Sequence, residues 1–103
     1  MLDPRIEFDE RYDADYGSTT FYFMAPKDLL KYYLPGKEFP EAVAMEISVE
    51  CPTNEIEPYA AGVSASPTRE YEDAYEDYDW YDIFISDEEI GELIDLALKK
   101  GEN

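Results

Sequence analysis

The sequence predicts an α+β domain: an antiparallel sheet of four to five strands, a C-terminal helix packed on one face, and a short helix between the early strands. Three observations carry this expectation. Residues 42–51 and 59–65 alternate in period two, residues 90–98 carry an apolar stripe at helical spacing, and the breaks between segments hold Gly or Pro at hairpin-length connections. A chain of 103 residues makes one domain with a modest core.

Residues 1–17 read as an acidic lead-in. Ile6, Phe8 and Tyr12 fall at alternating positions, so a first strand is expected over Arg5 to Arg11, with Gly17-Ser18 as a turn. Thr19 to Met24 is rich in β-branched and aromatic residues and reads as a strand. Pro26 then opens a short helix over Lys27 to Tyr33, which Pro35-Gly36 ends.

Ala42 to Cys51 gives the clearest strand pattern, with Val43, Met45, Ile47, Val49 and Cys51 on one face and Glu46, Ser48 and Glu50 on the other. Pro52 stops it, and Tyr59, Ala61, Val63 and Ala65 mark the next strand, which Ser66-Pro67-Thr68 is expected to break. An acidic, tyrosine-rich stretch covers 70–82, and the chain turns apolar from Trp80 to Ile85, where Tyr81, Ile83 and Ile85 share one face and Trp80, Asp82 and Phe84 share the other. Ser86 with Glu89 forms a capping box, Asp87 and Glu88 suit the positive end of the helix dipole, and Ile90, Leu93, Ile94, Ala97 and Leu98 form one stripe. Lys99, Lys100 and Gly101 complete the signature of a helix over Asp87 to Lys100.

Charge is the feature that speaks to function. The net charge is −18, of which −12 falls between Glu70 and Asp95, a segment with twelve carboxylates and no Lys or Arg. Residues 19–69 carry only −3, so the acidity is local. Charge spread over every face, as in halophilic adaptation, does not describe this chain. With 45% hydrophobic residues the chain is also too apolar for a disordered acidic tail, and a folded domain with one charged face is expected.

The absence of histidine removes the commonest general base and transition-metal ligand. Cys51 is the only cysteine and lies on the apolar side of its strand, so it reads as a buried thiol. An EF-hand frame from Asp77 places Asp79 and Glu88 correctly but has Tyr81 at the fifth position and Asp82 where glycine is required. The five glycines form no phosphate cradle, and dense negative charge repels nucleotides and nucleic acid. No catalytic residue, cofactor or metal site is therefore expected. A single cysteine, a charged start after Met1 and no apolar run of about 20 residues lead to the expectation of a cytoplasmic protein without membrane contact.

The acidic segment has a sharper reading. Duplex DNA carries one charge per about 1.7 Å, so twelve carboxylates match about 20 Å of duplex, the length of a helix of about 13 residues. Carboxylates would steer the chain to a basic groove, and aromatic side chains would anchor it there. In charge, size and tyrosine content the chain resembles DNA-mimic proteins of phages and mobile elements that inhibit restriction or CRISPR systems. The resemblance is compositional and covers mainly residues 70–95. It implies a small inhibitor that occupies the basic groove of a DNA- or RNA-handling defence protein. The expected partner is thus a basic, nucleic-acid-binding protein.

Expected contacts are Glu70, Glu72, Asp73, Glu76, Asp77, Asp79 and Asp82 for charge, with Tyr71, Tyr75, Tyr78 and Trp80 as anchors; Glu88, Glu92 and Asp95 would extend the footprint. Two other readings fit the same composition: an immunity protein or antitoxin against a basic nuclease, and an acidic domain with no inhibitory role. The sequence leaves the conformation of residues 70–79 and the oligomeric state open.

Overall fold

The computed structural model describes residues 2–69 and 79–101. They form a five-stranded antiparallel sheet in the simple order β1-β2-β3-β4-β5, with a C-terminal helix on one face. The strands are β1 (Glu7–Ala14), β2 (Ser18–Pro26), β3 (Ala42–Pro52), β4 (Gly62–Arg69) and β5 (Tyr81–Asp82). Between β2 and β3 a 3-10 turn (Lys27–Leu29) runs into a short helix α1 (Leu30–Tyr33), and α2 spans Asp87–Gly101.

The inner face of the sheet makes the core. Phe21 and Phe23 from β2, Met45, Ile47 and Val49 from β3 and Ala65 from β4 are all fully buried, and Leu93 of α2 is buried against them. Removing one such large apolar side chain from water contributes roughly 1.5–3 kcal/mol, so the regular alternation of β2 and β3 supplies much of the drive to fold. Phe8 of β1 packs edge-on against both Phe21 and Phe23, at centroid distances of 6.5 and 5.8 Å.

Two bulges decide which side chains reach that core. In β1, Phe8 pairs with Phe23 but Glu10 pairs with Tyr22, so Asp9 is the extra residue. The shift keeps Glu10 off the apolar face, and it also turns Tyr12 outward (56% exposed) and Arg11 inward over the Phe21 ring. The expected alternation of Ile6, Phe8 and Tyr12 therefore holds only to Phe8, and the strand runs to Ala14 rather than ending at Arg11. In β3, a second irregularity between Ala42 and Ala44 puts Ala42 inside and leaves Val43 half exposed, against the expectation that Val43 shares the face of Met45.

Strand β4 also departs from its expected limits. Pro58–Ala60 forms a 3-10 turn with Pro58 at its start, so Tyr59 is exposed and donates its hydroxyl to Glu55 (2.6 Å) instead of entering a strand. At the other end the strand continues through Ser66-Pro67-Thr68. The carbonyl of Val63 accepts a hydrogen bond from Ile83, so Val63, Ala65 and Pro67 direct their backbone polar groups towards β5. Strand β5 pairs only with Ser64 and Ala65, and the missing N–H of Pro67 thus costs no ladder bond.

The hairpin between β1 and β2 closes on Gly17, whose φ of +87° suits glycine and whose N–H donates to the Ala14 carbonyl (3.1 Å). Helix α2 starts at Ser86, whose hydroxyl accepts the Glu89 N–H (3.1 Å), and buries Ile90, Leu93, Ile94 and Ala97. The reciprocal half of the capping box is redirected. The Glu89 side chain is buried beneath α1 and accepts a hydrogen bond from the Tyr32 hydroxyl (3.3 Å). Arg5 joins Asp3 (3.0 Å) and Asp28 (2.9 Å), fastening the N-terminal arm to the 3-10 turn ahead of α1.

Candidate functional site

The outer face of the sheet carries no helix among the described residues. Strand register explains its composition, because residues paired directly across strands share a face. Glu10 pairs with Tyr22, Tyr22 with Ser48, Ser48 with Ser64 and Ser64 with Asp82, so one row crosses all five strands. At about 4.8 Å per strand it spans about 19 Å, with a carboxylate at each end and two small serines near the centre. The neighbouring row runs Tyr12, Thr20, Glu50 and Gly62.

The small residues leave a depression, and the aromatic residues wall it. Trp80, immediately before β5, brings its ring to 6.3 Å from the ring of Tyr22 on β2, tilted by 56°. Beside this ring pair is an open hollow of roughly 340 Å³, lined by both rings, floored by Thr20, Ser48 and Ser64 and edged by Glu50 and Asp82. Ser18 donates its hydroxyl to Glu50 (3.0 Å), and Ser64 makes a longer contact with Asp82 (3.4 Å), which holds the two carboxylates at the margin.

The electrostatics of this face are one-signed. The Tyr22 hydroxyl is held above the ordinary tyrosine range, first by burial and then by the charges of Glu46, Glu10 and Glu50. Glu46 is itself pushed up by burial and by Asp9 and Glu10. Among the described residues, ion pairs belong to Arg5 and Arg11 alone, and none reaches Glu10, Glu46, Glu50 or Asp82. Among the described residues no ion pair offsets the acidity of this face.

The expected contact residues divide into three groups. Asp79, Trp80 and Asp82 are exposed, and Trp80 and Asp82 line the hollow. Glu88 and Asp95 are exposed on α2, which packs against the inner face, so they lie on the opposite side of the sheet from the hollow. Glu92 is half-buried, with one carboxylate oxygen enclosed, and does not stand on an open acidic face as its helical position suggested. Glu70, Tyr71, Glu72, Asp73, Tyr75, Glu76, Asp77 and Tyr78 lie outside the described residues.

The structure adds Glu10, Tyr22, Glu46 and Glu50 to the site. The alternation of β3 already placed Glu46, Ser48 and Glu50 on a wet face. Nothing in the sequence aligned them with Tyr22 and Trp80, because register depends on bulges and turns. A second hollow, of roughly 420 Å³, lies at the β5 end between Tyr59, Phe84 and Ile85, and Asp82 borders both. Phe84 is 96% exposed there.

Chemically the outer face offers carboxylates, hydroxyls and two aromatic rings. Cys51 is buried on the inner face, and burial raises its thiol above the usual range. Among the described residues no three Asp, Glu or Cys side chains come together as a metal site, and no helix is long and apolar enough to cross a membrane. Fold and face together define a small α+β meander with an open, acidic and aromatic sheet surface. The chain matches no family model, no curated protein and no solved structure.

Proposed function

We propose that this protein is a small acidic inhibitor that occupies the basic groove of a DNA- or RNA-handling protein, of the anti-restriction or anti-CRISPR kind, and so excludes the nucleic acid. The observation that carries the reading is the outer sheet face, where Glu10, Glu46, Glu50 and Asp82 surround Tyr22 and Trp80 without a compensating ion pair among the described residues. Carboxylates at such a surface take the place of phosphates, giving long-range attraction and fast association. Tyr22 and Trp80 supply rigid apolar area, the side-chain type that dominates binding energy at interfaces.

Residues 70–79 add six carboxylates and lead directly into Trp80, so the greatest charge density of the chain adjoins this face in sequence. No catalytic step is part of the mechanism. Inhibition follows from occupancy, because a groove filled by carboxylates and aromatic rings cannot also accept a duplex.

The test is capture from host lysate with the tagged full chain at about 50 mM salt, where surface attraction is little screened. Elution is by a salt gradient and, separately, by competing duplex DNA. Recovery of one nucleic-acid-handling protein that DNA releases is the expected result. A diffuse set of basic proteins that wash away at low salt would overturn the reading.

A further inference from the structure

We propose that the hollow beside the Tyr22–Trp80 ring pair is the receptor for an arginine side chain of the partner protein, with Glu50 and Asp82 as its anionic margin. This deepens the inhibitor reading and rests on it. A guanidinium suits the site in both of its chemistries. Its flat face stacks on aromatic rings, and the touching pair of Tyr22 and Trp80 lines the hollow. Its edge donates five hydrogen bonds, and the margin and floor offer carboxylate and hydroxyl acceptors from Glu50, Asp82, Ser48 and Ser64.

Size and shape agree. A space of roughly 340 Å³ stands at the small end of ligand pockets, which fits one side chain better than a nucleotide or a large cofactor. A side chain on residue 62 would point to the same outer face as Glu50, and Gly62 leaves open space there. The polarity of the site selects the sign of the ligand. Glu46, Glu10 and Glu50 surround Tyr22, and in this field a cation is attracted while a phosphate or carboxylate is repelled. Arginine is favoured over lysine because it is less strongly hydrated and can satisfy rings and carboxylates together.

The experiment uses the full chain, oligo-arginine and oligo-lysine peptides of equal length as probes, and the emission of Trp80, the only tryptophan. The double variant Glu50→Gln/Asp82→Asn removes two charges at the hollow. Glu88→Gln/Asp95→Asn removes two exposed charges on α2 and serves as the charge-matched control. The expected result is saturable change of Trp80 emission, at least about threefold tighter binding of the arginine peptide, about tenfold loss in the hollow variant and under about threefold loss in the control.

Equal losses in the two variants, or binding without change at Trp80, would overturn the assignment. Lysate capture separates it from the broader reading. If a DNA-releasable partner is retained equally by the wild-type chain and by Glu50→Gln/Asp82→Asn, the hollow assignment fails and the inhibitor reading stands. If the wild-type chain retains no such partner, the inhibitor reading fails, and the peptide titration still decides whether the hollow takes arginine.

Discussion

The ring of Trp80 stands 6.3 Å from that of Tyr22 although β3 and β4 lie between β2 and β5. The contact is possible because Ser48 and Ser64 occupy the intervening positions of the same cross-strand row. Larger side chains there would fill the hollow and separate the rings. The pair therefore ties the residues just before β5 to the centre of the sheet, and links the acidic part of the chain to acidic residues contributed by β1 and β3.

Trp80 reports on this contact directly. Tyr22→Ala should shift Trp80 emission to longer wavelength and increase its quenching by acrylamide, with far-ultraviolet circular dichroism unchanged. Unaltered emission and quenching would show that the rings do not meet in solution.

Glu46 makes a prediction about pH. Burial, with Asp9 and Glu10 nearby, raises its folded-state pKa above the ordinary 4.5. Below that range both folded and unfolded states are protonated and the residue is neutral to stability. As pH rises through the folded pKa, the native carboxylate ionises at a cost, so stability is lost towards neutrality. Glu46→Gln should raise Tm at pH 7 by on the order of 2 °C, and the difference should vanish below about pH 4. Parallel Tm curves for the two proteins from pH 3 to pH 8 would contradict this.

Asp13 behaves in the opposite sense. The buried Thr19 hydroxyl donates to it (2.6 Å), and this bond, with Arg11, lowers its pKa below 3.8. The resulting stability is present above the unfolded-state value and is lost as pH falls through the folded pKa. Thr19→Val keeps the shape and removes the donor, so Tm at pH 7 should fall by on the order of 5 °C, with a smaller deficit near pH 3. An NMR titration should show the Asp13 carboxyl moving up towards its ordinary value; an unchanged midpoint would refute the coupling.

Gly91 tests the packing of α2. A Cβ placed there meets only the Pro58 ring, at 3.5 Å, which is ordinary contact. Gly91→Ala should stabilise the protein by about 0.5–1 kcal/mol through helix propensity alone. A loss of stability in urea unfolding would mean that the Pro58 turn sits closer to the helix than described.

The fold was largely legible in the sequence because its strongest signals are periodic. Met45, Ile47, Val49 and Cys51 recur every two residues, and Ile90, Leu93, Ile94 and Ala97 follow the helical repeat; all eight are buried. Three departures have local causes, a bulge that shifts the period by one residue or a proline turn that delays a strand. Asp9 shifted the period for Tyr12, the irregularity beside Ala42 shifted it for Val43, and the Pro58 turn kept Tyr59 out of β4. The candidate site was half legible. The outward setting of Trp80 and Asp82 followed from alternation, but their companions Glu10, Tyr22 and Glu50 depended on pairing between distant segments, which no local pattern encodes.

Exclusive occupancy of a nucleic-acid groove is open to a competition experiment on the captured partner. Labelled duplex DNA bound to that partner is titrated with this protein, and the complexes are separated by size. Stoichiometric release of DNA is expected, with binary complexes only and an inhibition that weakens as salt rises. A ternary complex holding partner, DNA and this protein together would contradict it.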